Sequence, residues 1–318
     1  MPYVFDPNDA HIKQALTNIS IGYRNDETIY QDVMPIVPVT KMSDYYYIWN
    51  DETDFNQTSD IMSATGRPNR VELAFSTDLY ACRPYGLMAE LPVALLENAD
   101  DALSPLSKAL MNVKAQLDNN HEVRVAAQVF ANASYATGFK TTLSGTTQWS
   151  DFANSDPMGN ILTALDACLQ RPNVLVLGAD TWRILRQHPK IVAAAFPSGG
   201  NSANRGLVTS AALQVLLADE GIKKVVIGRR RVNTANPGAT PSYSRAWGKH
   251  AALLYVTDTP SIDTPSFGYT FSSLQSNITR DQAVLHGSRG VEYVKESWEV
   301  DVKVTANKAG YFYENAVA

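Results

Sequence analysis

The chain of 318 residues has few of the side chains that usually carry redox or metal chemistry. Its two cysteines, Cys82 and Cys168, lie far apart and outside any C-x-x-C pattern. This argues against a disulfide framework and against a cysteine-ligated zinc site, so we expect two buried free thiols. The five histidines are scattered singly, and none belongs to an H-E-x-x-H signature. We therefore expect no metal and no cofactor.

Long apolar runs and an excess of positive charge are also missing. No apolar run approaches the roughly 18 residues of a membrane span, and the N-terminus has no basic segment followed by an apolar core. The formal net charge of -5 argues against a sequence-specific nucleic-acid binder. With 45% hydrophobic and 19% charged residues, the composition is that of a soluble globular protein of the cytoplasm.

Motifs for catalysis are incomplete wherever they begin. The glycine-rich loop 197–206 lacks the lysine of a phosphate-binding loop, and Gly178 alone is too little for a dinucleotide-binding turn. Ser288 lies one residue too early for a nucleophile elbow. Since no nucleophile with a base partner emerges, we do not expect an enzyme. A soluble α/β enzyme built on the middle segment remains an alternative hypothesis.

The most informative pattern that is present is a long hairpin over residues 35–92. An aromatic strand at 45–49, preceded by Val37 and Val39, and an alternating strand at 71–82 flank the polar stretch 50–70. The apolar or larger positions of the second strand are Val71, Leu73, Phe75, Thr77, Leu79 and Ala81, which predicts that this face is buried. A two-stranded hairpin is marginal in water unless its apolar side rests on something, and long irregular connections are usually functional or disordered. We infer that the hairpin rests on a neighbouring copy of the chain.

A long helix is predicted after the hairpin. Ser104 is suited to the N-cap and Pro105 to the first helical position. An apolar stripe at helical spacing follows, formed by Leu106, Leu110, Val113, Leu117, Val125 and Val129. A helix that runs to about Asn132 would be on the order of 40 Å long at 1.5 Å per residue.

The remaining sequence alternates helices and strands and then continues with strands. Helices are predicted at 157–169, 180–188 and 210–220, with strands at 174–177 and 225–227 between and after them. Further strands are predicted at 251–256, 269–271 and 298–305, and residues 310–313 are aromatic enough to pack. The pattern predicts an α+β fold with a small α/β unit inserted in a longer β framework.

Two clusters of side chains have open interpretations. Arg229, Arg230 and Arg231 form the densest basic run, which is either an intersubunit or nucleic-acid contact or a solvated strand end. The tyrosines at 45–47 and Trp49 could stack on bases, but no lysine or arginine is interleaved with them, as a single-strand platform requires. Packing in a core or an interface is therefore favoured for these aromatic residues.

Several stretches occur in a characteristic order along nearly the whole chain: residues 29–39 leading into the tyrosine-rich strand, 97–100 before the long helix, 175–178 with Trp182, Leu185 and 188–190, 247–249 with 251–256, 265–271, and 310–317. Taken in this order, they resemble the major capsid proteins of tailed bacteriophages, with the Hong Kong 97 type of fold shared with encapsulin compartments.

The resemblance implies a division into domains. Residues 1–34 would be an N-terminal arm and residues 35–92 an extended loop with its base. Residues 93–154 and 276–318 would form a peripheral domain around the long helix, which would be its spine. Residues 155–275 would form an axial domain.

The resemblance also implies a function. The chain would self-assemble as pentamers and hexamers into the icosahedral head of a phage, enclosing double-stranded DNA without reading its sequence. Expected partners are further copies of the chain, a scaffolding protein, a portal protein and a decoration protein, with assembly in the host bacterial cytoplasm and final location in the virion. An encapsulin-type compartment shell is the alternative. The expected assembly contacts are Trp49, Asp51, Glu52, Arg67, Arg70, Arg229, Arg230 and Arg231.

Overall fold

The computed structural model describes most of the chain outside the predicted arm. It covers residues 28–48, 57, 59–62, 66–70, 76–98, 105–196, 206–236, 238–261, 264–283 and 289–318. The predicted contacts Trp49, Asp51 and Glu52, the predicted N-cap Ser104 and most of the glycine-rich loop lie outside the described residues.

Helices and strands in these ranges follow the predicted order. The helices are α1 Tyr30–Val33, α2 Val93–Glu97, α3 Pro105–Val129, α4 Pro157–Ala167, α5 Ala179–Leu185, α6 Pro189–Ala195 and α7 Ser210–Leu216. The strands are β1 Ile36–Pro38, β2 Ser43–Ile48, β3 Ser76–Ala81, β4 Arg83–Pro92, β5 Lys140–Thr142, β6 Val174–Gly178, β7 Lys224–Gly228, β8 Arg231–Asn233, β9 Tyr243–Arg245, β10 Ala251–Leu254, β11 Gly268–Ala283, β12 Val291–Val304 and β13 Gly310–Glu314.

A four-stranded sheet is built from the longest strands, in the order β1-β11-β12-β4. β1 runs parallel to β11, and the other pairs are antiparallel. β12 buries Val294, Trp298 and Val300 at alternating positions, which confirms the predicted half-buried strand and extends it towards the N-terminus. The predicted strand at 269–271 likewise is one end of the 16-residue β11.

A five-stranded sheet, in the order β5-β13-β10-β6-β7, forms the second layer of structure. All five residues of β6 are buried, as expected for a central strand covered on both faces. One face packs against helices through Leu175, Leu177 and Trp182. At the end of β6 a Cβ on Gly178 would lie 2.1 Å from the carbonyl oxygen of Gly248, so this close approach requires glycine.

The predicted long helix is α3, which we call the spine helix. It ends at Val129, three residues before the predicted end, where a short 3-10 turn at Asn132–Ser134 begins. Its first half packs on the four-stranded sheet, where Leu110 meets Val294 and Leu117 meets Trp298. Its second half packs on the five-stranded sheet through Val125 and Val129. The spine helix therefore packs against both sheets and contributes side chains to the core of each.

Polar side chains interrupt the buried face of the spine helix. Lys114 Nζ lies 3.3 Å from Asp118 Oδ1 and 3.4 Å from Glu296 Oε1 on β12, and all three side chains are buried. Burial raises the pKa of the Asp118 carboxyl, and the neighbouring Lys114 opposes this shift. The helix is thus joined to the sheet by an ionic contact between two apolar clusters.

Glu122 connects three parts of the chain. Its fully buried carboxylate accepts hydrogen bonds from the backbone N–H groups of Ile29 and Tyr30 and from the indole N–H of Trp247, which precedes β10. Burial raises the pKa of this carboxyl, whereas these N–H donors favour its charged form. The contact holds the segment before α1, the spine helix and the five-stranded sheet together.

Several predicted boundaries need correction. The helix predicted at 180–188 is α5, which already ends at Leu185, and a separate helix that was not predicted, α6, begins at Pro189 with His188 as its N-cap. The domain boundary predicted at residue 275 lies within β11, where the pairing with β12 shifts its register between Ser272 and Asn277. β13, predicted to be peripheral, pairs with β10 in the five-stranded sheet.

Two expectations from the sequence concern the state of the cysteines and membrane-spanning helices. Both cysteines are free and buried, as predicted. Among the described helices, none is long and apolar enough to cross a membrane.

Replacing Glu122 by Gln should lower the free energy of unfolding of the unassembled chain by about 1–3 kcal/mol, measured by urea unfolding. The amide keeps one acceptor oxygen but turns an NH2 group towards N–H donors. As a control, Asp166→Asn removes an exposed carboxylate on α4 and should change stability by less than about 0.5 kcal/mol. Equal stability of the two variants would show that Glu122 does not hold these three segments.

Candidate assembly surfaces

The base of the predicted hairpin is a two-stranded ribbon of β2 and β3. The strands are antiparallel, with Tyr45 opposite Leu79 and Tyr46 opposite Asp78. The flanking strands β1 and β4 belong instead to the four-stranded sheet. The described part of the hairpin predicted at 35–92 therefore consists of a separate two-stranded ribbon and two strands of the four-stranded sheet.

One face of the ribbon is anchored on its own chain. Tyr80 stacks on Phe271 of β11 at 4.8 Å between ring centroids, and Tyr46 contacts the same ring at 5.3 Å. The Tyr46 hydroxyl donates to Asp78 Oδ2 at 3.0 Å, and its burial raises the pKa of this phenol. The backbone N–H of Ala81 donates to Asp301 Oδ2 at 2.9 Å, which fastens the ribbon to β12.

The other face of the ribbon is exposed and apolar. Tyr45 is 68% exposed, Tyr47 59% and Leu79 45%. The face that contains Thr77 and Leu79 is therefore not buried by the chain itself, and its predicted burial on a neighbouring copy stays a prediction. Phe271 receives the aromatic rings of Tyr46 and Tyr80, and the two-residue period of the strands then turns their neighbours outward.

The described part of the loop beyond the ribbon is also exposed. Ile61 is 86% and Met62 55% exposed, and Arg67 and Arg70 lie at the surface. The side-chain amide of Asn69 donates to the carbonyl of Ser59 at 2.8 Å, which joins the two sides of the loop. Of the expected assembly contacts in this loop, Arg67 and Arg70 are thus at the surface, and Asp51 and Glu52 lie outside the described residues.

The basic run divides at the end of β7. Arg230 turns inward and donates from Nε to the side chain of Asn119 on the spine helix. Arg229 and Arg231 are exposed. Arg230 is thus a contact within the chain, between the five-stranded sheet and the spine helix, and the other two remain available at the surface.

One serine and histidine pair resembles part of a catalytic group. Ser155 Oγ lies 3.1 Å from His188 Nε2, and both side chains are buried. However, His188 Nδ1 accepts from the N–H of Lys190, and the Ser155 hydroxyl donates to the carbonyl of Asp151 at 2.6 Å. His188 Nε2 must then carry the proton and donate to the serine, so it cannot act as its base. The pair caps α6.

The described residues also give little support for a metal site or for a small-molecule site. No group of three or more His, Cys, Asp or Glu side chains in them could hold a metal ion. A cleft of about 580 Å³ lies where residues 31–35 meet the ends of β6, β7 and β10. Its lysines are already paired, Lys224 with Asp32 at 2.7 Å and Lys223 with Asp258 at 2.7 Å.

The residues that fix the ribbon and the spine helix are not among those predicted from the sequence. Phe271 lies in a predicted strand, but no local pattern indicates that it supports Tyr46 and Tyr80. Lys114, Asp118 and Glu122 follow the predicted apolar stripe at intervals of four residues. That spacing was the available signal that these polar side chains share the buried face.

Comparison with known proteins agrees with this architecture. A scan against models of protein families gives no match. The major capsid protein of Pseudomonas phage JBD67 is 38% identical, over 100% of this chain and 98% of that protein. A phage-related protein from Bordetella bronchiseptica RB50 superposes with a TM-score of 0.74 at 22% identity, covering 96% of this chain and 98% of that one.

A second solved structure, the capsid of cyanophage P-SCSP1u, has a TM-score of 0.58 at 11% identity and covers 98% of this chain and 93% of that one. At these identities the two structures support the fold, and the full-length relative supports the family. The chain belongs to the phage major capsid protein family and has the Hong Kong 97 type of fold.

Proposed function

We propose that the chain forms the icosahedral shell of a phage head, through rings of pentamers and hexamers that enclose double-stranded DNA. The observation that carries this proposal is the two-faced ribbon. Its inner tyrosines are anchored on Phe271, while the outer face exposes the apolar side chains of Tyr45 and Leu79 to a large extent. Surfaces of this kind mark protein contacts, and a second copy is the partner that a shell supplies.

The assembly contacts follow from this arrangement. We infer that the ribbon and loop 50–70 lie on a neighbouring copy, with the exposed Ile61 and Met62 adding apolar area. Trp49, Asp51, Glu52, Arg67 and Arg70 would set the register of this contact more than its affinity. Arg229 and Arg231 would contact a neighbour at another edge.

We propose the same domains as the resemblance implies, but we assign their strands according to the two sheets. The peripheral domain would contain the four-stranded sheet and the first half of the spine helix. The axial domain would contain the five-stranded sheet, and therefore also β5 and β13. The N-terminal arm and the extended loop keep their proposed roles as reaching segments.

The proposed partners follow the role of a shell subunit. They are further copies of the chain, a scaffolding protein, a portal protein and a decoration protein. DNA would be held by volume and bulk electrostatics, since the net charge is -5. Assembly would take place in the host bacterial cytoplasm. A full-length phage relative favours a head over an enzyme-loaded compartment or an enzyme.

Electron microscopy of the expressed chain, with and without a scaffolding protein, tests the proposal directly. We expect closed shells of uniform size, because the contacts are heterologous and close by rotation. Monomers under every condition, with loop 50–70 cleavable and dispensable, would contradict it.

Neighbouring tyrosines on opposite faces of the ribbon give a matched comparison. Tyr45→Ser should leave the stability of the unassembled chain nearly unchanged and raise the concentration needed for shells by about tenfold or more, because an aromatic side chain contributes about 1.5–3 kcal/mol when buried. Tyr46→Ser should lower the free energy of unfolding by about 3 kcal/mol, since it leaves a cavity on Phe271. Sedimentation and urea unfolding separate the two effects. A destabilised Tyr45→Ser chain with normal assembly would reverse the assignment of the faces.

Deletion of residues 50–70 tests the extended loop itself. The circular dichroism and thermal midpoint of the unassembled chain should stay close to those of the full chain, because both sheets and the spine helix are built from other residues. Shells should not form. Shells of normal size from the deleted chain would rule out an intersubunit strap.

A further inference from the structure

His121 is the one histidine of the spine helix, and it lies fully buried where three elements meet. Its ring contacts the ring of Tyr30, in α1, with centroids 4.7 Å apart and an interplanar angle of 86°. On its other side, Trp298 of β12 is also 4.7 Å away, at 67°. The imidazole thus fills a space between the N-terminal segment, the spine helix and the four-stranded sheet.

Neither ring nitrogen of His121 has a hydrogen-bond partner among the described residues. The aromatic rings that enclose it offer no oxygen acceptor at these nitrogens. A neutral imidazole is tolerated there at the cost of its unpaired nitrogens, but an imidazolium would bring a second N–H donor and a buried charge.

The charged neighbours do not provide a counter-ion for such a charge. On the spine helix, Arg124 and Lys114 are cations, and both oppose protonation of His121. The Lys114 ammonium also lies 5.5 Å from the Trp298 ring, and the Arg124 guanidinium lies over Tyr85 of β4 at 3.7 Å. The remaining charged groups of this joint are carboxylates with other partners: Asp118 and Glu296 face Lys114, and Glu122 accepts the N–H groups of Ile29 and Tyr30 and of Trp247.

The N-terminal segment is held here by titratable side chains. Glu122 receives the N–H groups of Ile29 and Tyr30, and Asp118 accepts from the Tyr30 hydroxyl at 3.4 Å. His121 packs against the ring of the same tyrosine. Apolar contacts of Val33 and Met34 with the spine helix and the five-stranded sheet add to these bonds. Residues 28–34 are therefore fixed at one point that depends on the charge state of neighbouring groups.

We propose that His121 makes this joint a proton-sensitive catch: protonation of its ring loosens residues 28–34 from the spine helix and from β12. The catch is closed while the imidazole is neutral, and Tyr30 and Trp298 can then enclose it. When the ring is doubly protonated and charged, it is stabilised by contact with water or an anion. We expect the joint to open, because opening exposes the ring to solvent.

The direction and range of the effect follow from proton linkage. Burial, helped by Arg124 and Lys114, lowers the pKa of His121 to about 3, whereas an exposed histidine titrates near pH 6.5. The stability gained from the closed joint is thus complete above about pH 6.5 and is lost as the pH falls towards 3. Burial raises the pKa of Asp118 and Glu122, so these carboxyls oppose the loss at the acidic end. A comparison of variants isolates the histidine from them.

Hydrogen exchange of residues 28–34 in the full chain tests the proposal. After correction for the intrinsic exchange rate, exchange of this segment should be about tenfold faster at pH 5.5 than at pH 7.5, because one proton is taken up by a group with an open-state pKa of about 6.5. His121→Phe keeps an aromatic ring in the joint and cannot titrate, so its ratio should stay near one. The same ratio in the wild-type chain and His121→Phe would overturn the proposal.

Tyr30→Phe is the matched control for packing. It removes the hydroxyl bond to Asp118 and keeps the ring against His121. Exchange of residues 28–34 should become faster by the same factor at both pH values, so the tenfold pH ratio remains. Loss of that ratio in Tyr30→Phe would assign the pH dependence to Asp118 and overturn the role of His121.

A measurement on the wild-type chain alone covers the case in which His121→Phe does not fold. Exchange of the imidazole C2 hydrogen, followed by mass spectrometry across a pH series, reports the titration of each histidine. His121 should show an apparent pKa well below 6.5, and a value near 6.5 would overturn the proposal. These experiments use the unassembled chain, so a failure here would leave the shell proposal standing.

Discussion

The burial of the spine helix between two sheets is the constraint on which the rest of the structure depends. Leu110 and Leu117 commit its first half to the four-stranded sheet, and Val125 and Val129 commit its second half to the five-stranded sheet. Because one rigid helix serves both cores, the two sheets cannot be placed independently within a subunit. Any change in the angle between them must be absorbed along this helix.

Polar contacts then determine how firmly the helix is held. Lys114 and Glu296 form a buried ion pair. Replacement of such a pair by apolar residues is often neutral or stabilising, so we interpret this pair as fixing the position of the helix more than as adding stability. Glu122 acts similarly across a longer distance, since it joins the N-terminal segment to the residue before β10. The helix is therefore located by directional bonds, while the apolar clusters around them supply most of the favourable free energy.

The sequence predicted the elements with strong periodicity better than the contacts between them. The spine helix and the strands β6 and β7 were predicted within a few residues, because their apolar periods are regular, whereas only the second half of β12 was predicted. The inward face of the ribbon was not, since Tyr45, Tyr46 and Tyr47 are equivalent in the sequence until Phe271 selects one of them. The place of β13 in the five-stranded sheet depends on pairing over long sequence distances, which no local pattern encodes.

The same selection explains how the chain can present an exposed apolar face without a specialised motif. Phe271 takes Tyr46 and Tyr80, and the alternation of the strands then leaves Tyr45, Tyr47 and Leu79 outside. The outward apolar face is thus a consequence of the inward anchoring and needs no separate scaffold. Since the anchor rests on β11, which also pairs with β1 and β12, the orientation of the ribbon is tied to the four-stranded sheet. A neighbouring copy on the ribbon, as proposed, would thereby be coupled to the spine helix through that sheet.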